Sequence, residues 1–351
     1  MALGLLGTIA TSAALVGGVG CCALSAPRYS GAATASFDGK RFRNMQPTKL
    51  PSFSDLVRWQ MNRKRGPWRD WTDAPPGAPP PRRVSNGQLR ATFVNHATVL
   101  LQIDGLNILT DPIWSKRASP VSWAGPRRVR PAGLRFEDLP PIDAVLVSHN
   151  HYDHMDLPTL KRLERAHSPR FVVGLGNGAL LAARGIRPAE LDWWQSVSLA
   201  RGVRVHLVPA RHFSSRGLCD RDGALWGGFV VEGPSGRVYF AGDTGFGPHF
   251  AEIGERLGPI RLAMLPIGAF RPRWFMEPAH ISPEEAIRAH ELLGATTSLA
   301  VHFGTFPLGD DGEEEPVHEL RRALRAARVP EAQFWVLGFG EGRDVPPVEG
   351  R

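Results

Sequence analysis

Six consecutive residues, His149-Asn-His-Tyr-Asp-His154, hold four side chains with metal-ligand chemistry: His149, His151, Asp153 and His154. Imidazole nitrogens beside a carboxylate suit a borderline divalent ion, Zn²⁺ above all. A solvated histidine-rich turn is the bland alternative, but the pattern is too dense for a chain with 12 histidines in 351 residues. Three more candidates stand further on: His212 in Pro209-Ala-Arg-His-Phe213, Asp243 in Gly242-Asp-Thr-Gly245 and His302 in Ala300-Val-His-Phe-Gly304. Each alone reads as a polar group satisfied at a strand end. Together the seven suffice for two tetrahedral or five-coordinate ions, with a carboxylate bridging and a water between, as a two-metal hydrolase needs.

The elements that must hold these groups are legible from hydrophobic period. Ala144–Val147 reads as a short buried strand that delivers His149, and Asp156 is expected to cap a helix near Leu157–Ala166 with Pro158 in its first turn. Further strands are expected at Leu89–Val94, Thr98–Ile103 and Leu106–Thr110, with Asp104-Gly105 as a hairpin turn. Phe171–Leu175, Val203–Val208, Phe229–Glu232, Arg237–Ala241, Leu262–Ile267 and Ser298–His302 continue the series. Helices are expected at Pro283–Leu293 and Glu315–Ala327. His212, Asp243 and His302 each follow a strand, where an α/β scaffold places its chemistry, and Gly242 and Gly245 allow the turn that exposes Asp243. Two runs of strands with helices between them give the expected fold class, an α/β protein built as an αβ/βα four-layer sandwich.

Composition and charge bound the rest. The chain carries 42 basic and 34 acidic residues, a net charge of +8. Basic clusters at Arg58–Arg69, Arg82–Arg83 and Arg127–Arg130 suit an anionic partner, a phospholipid surface or nucleic acid, and equally suit a merely soluble basic face. Of three cysteines, Cys21 and Cys22 fall in the apolar N-terminal segment, leaving Cys219 alone in the folded part. No disulfide framework and no CxxC zinc knuckle is expected there, so the metal chemistry is His/Asp chemistry. Residues 1–27 read as an apolar membrane anchor, a cleaved signal or a lipoprotein segment ending near Cys21. Arg28, Lys40, Arg41 and Arg43 behind an anchor favour a cytoplasmic domain. Residues 28–84 read as a basic extension with a Pro-rich linker at Pro75–Pro81, and 85–345 as the catalytic domain. Within the extension, Ser52–Arg65 has the period of an amphipathic helix, with Phe53, Leu56, Val57 and Met61 on one stripe that either packs on the domain or lies on a membrane.

Taken in order, His-x-His-x-Asp-His, a lone His, Gly-Asp-Thr and a late His resemble the metallo-β-lactamase fold superfamily. Asn95-His-Ala-Thr-Val, Leu109-Thr-Asp-Pro-Ile113, Arg117-Ala-Ser-Pro120, Glu190-Leu-Asp-Trp-Trp194 and Pro272-Arg-Trp-Phe-Met276 are similar to the N-acyl-phosphatidylethanolamine-hydrolysing phospholipases D and their bacterial relatives. The resemblance runs from about Phe42 to Gly340. It implies two Zn²⁺, one held by His149, His151 and His212, the other by Asp153, His154 and His302, with Asp243 bridging. It also implies a substrate-side histidine at His280, preceded by Ala279 where the mammalian enzymes have Gln. Asp111 and His96 are candidates for orienting the ligands, or else a turn-stabilising Asp and a strand-end His. Trp193, Trp194, Trp274 and Phe275 read as core or as lining of an acyl pocket, and His167, His206, His249, His290 and His318 match no motif position.

The implied activity is phospholipase D-type cleavage to an N-acylethanolamine and phosphatidate. Asp153, Asp243 and His280 would carry it, on a phospholipid substrate at a membrane surface. Nucleic acid is not the expected partner, and a homodimer is an open option. The rivals are a lactonase or nuclease with the same ligands, and a non-catalytic membrane-bound metal-binding protein.

Overall fold

Alternation along the strands sorts side chains into two cores. In the strand Ala144–Val147, Ala144 and Leu146 join a cluster with Leu207, Phe229 and Phe240, whereas Val145 and Val147 join Leu160, Leu163 and Leu181. A period of two therefore puts one core between two sheets and another between a sheet and its helices. Each fully buried aliphatic or aromatic side chain contributes about 1.5–3 kcal/mol of transfer free energy. The chain is a computed structural model that describes residues 24–348.

The first sheet is made by β1 (Leu89–Asn95), β2 (Thr98–Ile103), β3 (Leu106–Thr110), β4 (Ala144–Val147), β5 (Arg170–Gly174) and β6 (Ala189–Leu191). The second holds β7 (Ser196–Ser198), β8 (Arg204–Val208), β9 (Gly228–Gly233), β10 (Gly236–Phe240), β11 (Ile260–Pro266), β12 (Ala295–Val301) and β13 (Phe334–Trp335). The last strand, β14 (Gly342–Asp344), returns to the first sheet beside β1, giving the orders β14-β1-β2-β3-β4-β5-β6 and β13-β12-β11-β10-β9-β8-β7. Each sheet is antiparallel on one side and parallel on the other, the parallel parts being β3–β6 and β10–β13.

Helices α2 (Leu157–His167) and α3 (Gly178–Ala182) cover the first sheet. Those on the second are α4 (His249–Leu257), α6 (Pro283–Leu292) and α7 (Glu315–Ala327), with the short α5 (Arg273–Met276) before α6. The architecture is the expected αβ/βα sandwich. Ser282 and Glu285 form a capping box at the start of α6. Asp156 stands at the N-cap of α2 but does not cap it. Its carboxylate is taken by Ser115 N–H (3.1 Å), Ser115 Oγ (2.7 Å) and Thr159 Oγ1 (2.6 Å).

The segment read as an extension is woven onto the sandwich. Phe37 and Phe42 belong to the central core, and at the Pro-rich stretch Gly77 N–H donates to Gly133 O at 2.7 Å. Helix α1 (Phe53–Met61) docks through Trp59, not through its apolar stripe. The Trp59 ring stacks on Phe275 with centroids 4.6 Å apart, and its Nε1–H donates to Asp310 Oδ2 at 3.0 Å. Phe53 and Met61 stay 69% and 81% exposed, and Leu56 and Val57 are exposed beside them. One indole that satisfies both its ring and its N–H holds the helix at a site already filled by Phe275, and the four stripe residues stay outside that contact. Among the described residues no helix is long and apolar enough to cross a membrane. Residues 1–23 of the expected anchor lie outside the described range.

Candidate metal centre

All seven ligand candidates lie in loops at one edge of the two sheets. His149 follows β4, and the loop that carries His151, Asp153 and His154 closes into α2. His212 follows β8, Asp243 follows β10 and His302 follows β12. The turn at Asp243 depends on Gly242, whose φ is +59° and where a Cβ would lie 2.5 Å from Ser148 Cβ.

Two groups form. In the first, His149 Nε2 lies 2.9 Å from His151 Nδ1, and His212 Nε2 lies 3.2 Å from the same atom. The outer nitrogens of the flanking rings are already engaged. His212 Nδ1 donates to Ala279 O (3.0 Å), and His149 Nδ1 is 2.9 Å from Ser148 Oγ, whose hydroxyl is donated to Asp111 (2.6 Å). That fixes the protons on Nδ1 and turns the Nε2 lone pairs of His149 and His212 inward. Inward-facing imidazole lone pairs within 4.8 Å of one another repel unless a cation sits among them.

In the second group, His154 Nε2 lies 3.1 Å from Asp153 Oδ2 and 3.2 Å from Asp243 Oδ2, and His302 Nε2 lies 3.2 Å from Asp243 Oδ1. Asp243 also reaches towards the first group, with Oδ2 3.9 Å from His212 Nε2, so its carboxylate lies between the two. Among the described residues, buried His154 Nε2, His302 Nε2, Asp243 Oδ1 and His280 Nδ1 have no hydrogen-bond partner. Orphaned polar atoms that converge in this way fit a site for cations.

The electrostatics agree. Burial pushes His151 down to about 4, and His149 and His212 are held well below the usual range by burial and by neighbouring histidines, His154 and His151 for the first and His151 for the second. These rings are neutral and free to ligate at pH 7. Burial alone would lower His154 and His302 too, but the surrounding carboxylates win. Asp243, Asp153 and Asp111 drag His154 well above its usual value, and Asp243 with Asp153 raises His302 to about 9. Without an ion, protons supply the positive charge that these carboxylates require; an ion would displace them.

Asp111 and His96, left open by the sequence, both touch ligands. His154 Nδ1 donates to Asp111 Oδ2 at 2.6 Å. His96 Nε2 donates to Asp153 Oδ2 at 2.9 Å, so it lies within the second group by distance but is occupied in holding the carboxylate. His96, Asp111 and His302 have φ of +46°, +35° and +62°, costly for residues with a Cβ and typical of functional loops that their surroundings hold in place. His280 faces the centre, its Nδ1 3.7 Å from Asp243 Oδ2, and burial lowers it to about 4.

Above the centre opens a cavity of about 760 Å³, with His151, Asp153, Asp243 and His280 in its floor and Phe53, Leu56, Trp59, Phe213 and Phe275 in its walls. Of the four aromatics singled out in the sequence, Phe275 alone lines it. Trp193 donates its Nε1–H to Trp226 O, Trp194 lies under Arg256, and Trp274 lies under Arg58. Sequence reasoning missed Trp59 and also Asn44, whose side chain clamps both backbone groups of His212 at 3.0 Å. It also passed over His249, buried beneath the Asp243 turn with Nε2 3.1 Å from Thr244 Oγ1.

Residues 106–303 match the β-lactamase superfamily domain. The chain belongs to that superfamily. Superfamily relatives include N-acyl-phosphatidylethanolamine-hydrolyzing phospholipase D 1 of Caenorhabditis elegans, 40% identical over 270 residues (73% of this chain and 76% of that one). The mitochondrial N-acyl-phosphatidylethanolamine-hydrolyzing phospholipase D of Saccharomyces cerevisiae is 35% identical over 224 residues, 62% of this chain and 48% of its own. Among solved structures, the metallo hydrolase Igni18 of Ignicoccus hospitalis superposes with a TM-score of 0.56 at 24% identity, over 74% of this chain and 99% of its own. Metallo-β-lactamase fold, metal-ligand clustering and hydrolase kinship thus coincide in one chain.

Proposed function

We propose that the protein is a zinc-dependent phosphodiester hydrolase that cleaves N-acyl-phosphatidylethanolamine to an N-acylethanolamine and phosphatidate. The supporting observation is the juxtaposition of the two ligand groups with an apolar-walled cavity of about 760 Å³ directly above them. Its volume falls in the range of cavities that enclose drug-sized ligands, and its walls suit acyl chains rather than a polar sugar or base. The 40% identity to a relative named for this reaction supports the same reading.

His149, His151 and His212 would hold one zinc ion and Asp153, His154 and His302 the other, with Asp243 between them. When bound, the ions supply Lewis-acid activation of a water and of the phosphoryl oxygen. The chain's own groups do the rest. Asp153 and Asp243 are held well below the usual carboxylate range, against the effect of burial, by His154 and His302. They bind and orient, and are poor proton acceptors. His280, kept neutral by burial, is suited to donating a ring N–H to a phosphoryl oxygen and unsuited to storing a proton for the leaving alkoxide. At the rim, half-buried Arg221 lies over the Phe213 ring, 4.5 Å from its centroid, where it meets an anionic head group. The outward stripe of α1, with Arg58 beside it, suits a substrate that stays in a bilayer.

The test is turnover of purified, zinc-loaded protein on N-acyl-phosphatidylethanolamine vesicles, a lactone panel and RNA. Release of N-acylethanolamine is expected. Strong lactone or RNA hydrolysis without phospholipid turnover would replace the substrate and keep the centre, and no turnover of any of them would leave a metal-binding protein.

A further inference from the structure

The loop that joins α5 to α6 touches the candidate centre at three consecutive residues. Ala279 O accepts the Nδ1 proton of His212 at 3.0 Å. His280 points its ring inward, with Nδ1 buried, 3.7 Å from Asp243 Oδ2 and without a hydrogen-bond partner among the described residues. Ile281 N–H donates to Thr244 O at 2.8 Å, one residue beyond Asp243. The same turn packs on the start of the loop, for a Cβ at Gly245 would stand 2.7 Å from Pro278 O and 2.8 Å from Glu277 O. A shift of this loop therefore moves His280, a hydrogen bond to His212 and the bed of the Asp243 turn together.

Two arms fix the loop. Behind it, Met276 O accepts from Ala279 N–H (2.9 Å) and His280 N–H (2.8 Å). Across it, Arg273 at the start of α5 donates Nη1–H to His280 O (2.9 Å) and Nη2–H to Glu285 Oε2 (2.9 Å). That Glu285 oxygen also accepts Ser282 N–H at 2.8 Å, and Glu285 N–H donates to Ser282 Oγ at 3.2 Å. The capping box is complete with Ser282 and Glu285 alone. The bond from Arg273 to His280 O lies outside the helix, before its N-cap Ser282, so helix capping does not account for it. A planar fork that donates in two fixed directions ties α5, the loop and the first turn of α6 into one bracket.

We propose that Arg273, anchored by Glu285, is a positioning residue that sets the angle at which His280 meets a substrate oxygen and steadies His212 through Ala279 O. The contact of His280 with a phosphoryl oxygen rests on the phosphodiesterase reading; the hold on the loop does not. Arg273 acts through other groups, because its guanidinium is engaged by His280 O and Glu285 and does not line the cavity. Without the fork, Met276 O still holds the loop's N–H groups, while the His280 carbonyl loses its tie. A displacement of about 1 Å at a reacting group costs about 100-fold in rate.

The experiment compares R273M, which removes the fork, with R273K, which keeps a charge and rotatable donors, in full-length zinc-loaded protein. The first readout is NMR of histidine labelled with ¹³C at Cε1. The His280 resonance, assigned by its loss in H280Q, is expected to move or broaden in R273M and to return part of the way in R273K. If R273M does not fold, E285Q, which keeps an acceptor for Ser282 N–H and loses the charge that anchors the guanidinium, is expected to move the resonance less and in the same direction. A His280 resonance unmoved in every folded variant overturns the proposal, whatever the substrate. The second readout is turnover of the substrate that the wild-type protein hydrolyses. In R273M kcat is expected to fall about 10- to 100-fold with KM changed less than about threefold. In the H280Q background the same substitution should cost less than about threefold more, because both act through one ring; additive losses overturn the proposal. A moved resonance without phospholipid turnover discards the phosphodiesterase reading and keeps the bracket.

Discussion

Asp111 Oδ2 accepts the Nδ1 proton of His154 at 2.6 Å, in a pair with no solvent access to either side chain. The same carboxylate takes Ser148 N–H and Ser148 Oγ–H, so one buried acid sets the tautomer of His154 and, through Ser148, that of His149. It therefore governs one ring in each ligand group. Asp111→Asn keeps the shape and removes the charge that makes His154 Nε2 a strong donor. Zinc affinity is expected to fall about 10- to 100-fold, read by titration against a competing chelator. Unchanged affinity would mean that the pair serves the fold alone.

The His96–Asp153 contact predicts a selective loss. His96→Ala frees the Asp153 carboxylate and removes a ring 4.1 Å from that of His302. The second ion should be lost before the first, so metal content measured after dialysis should drop by about half. His96→Gln, which can still donate to Asp153, should recover most of it.

Helix α1 predicts a split between substrates. Val57→Ser with Met61→Ser, two stripe residues outside the cavity wall, leaves Trp59 and Asp310 in place and removes exposed apolar surface. Turnover of vesicle-bound substrate should fall at least several-fold, by the loss of about 1–3 kcal/mol of interfacial burial. Turnover of a short-chain substrate dispersed as monomers should not change. Parallel losses on both would place the two side chains in the chemistry instead.

A pH prediction follows from His249. Burial lowers it to about 3, below the ordinary histidine value of about 6.5, so the unfolded chain binds more protons between those values. Stability must therefore drop as pH falls below about 6.5, by about 2 kcal/mol from this residue at pH 5. Urea melts of wild type and His249→Gln at pH 7.5 and pH 5 should show a smaller acid penalty in the variant. An equal penalty would assign the effect to other groups, buried His96 first among them.

Short-range features of this chain can be read from its sequence, and long-range contacts cannot. Strand positions and the positions of the candidate ligands were legible because both are local. Alternation marks a half-buried strand, and a ligand placed just after it can point in few directions. His149, His212, Asp243 and His302 were readable for that reason. The short edge strands β6, β7, β13 and β14 have too few residues to show a period, and α4 carries no cap signal beyond Pro248.

By itself the sequence determined the donor types of the candidate centre and the class of the sandwich, since donor types and periodicity are properties of short stretches. Tertiary structure alone decided which groups hold the ligands still and what covers them. Asn44 on His212 and Trp59 on Phe275 join residues 168 and 216 positions apart in the chain (212 − 44 and 275 − 59). Cys219 beside Ser25 is a third such pairing. No spacing rule connects such partners; they meet because two sheets pack face to face and bring their loops to one edge.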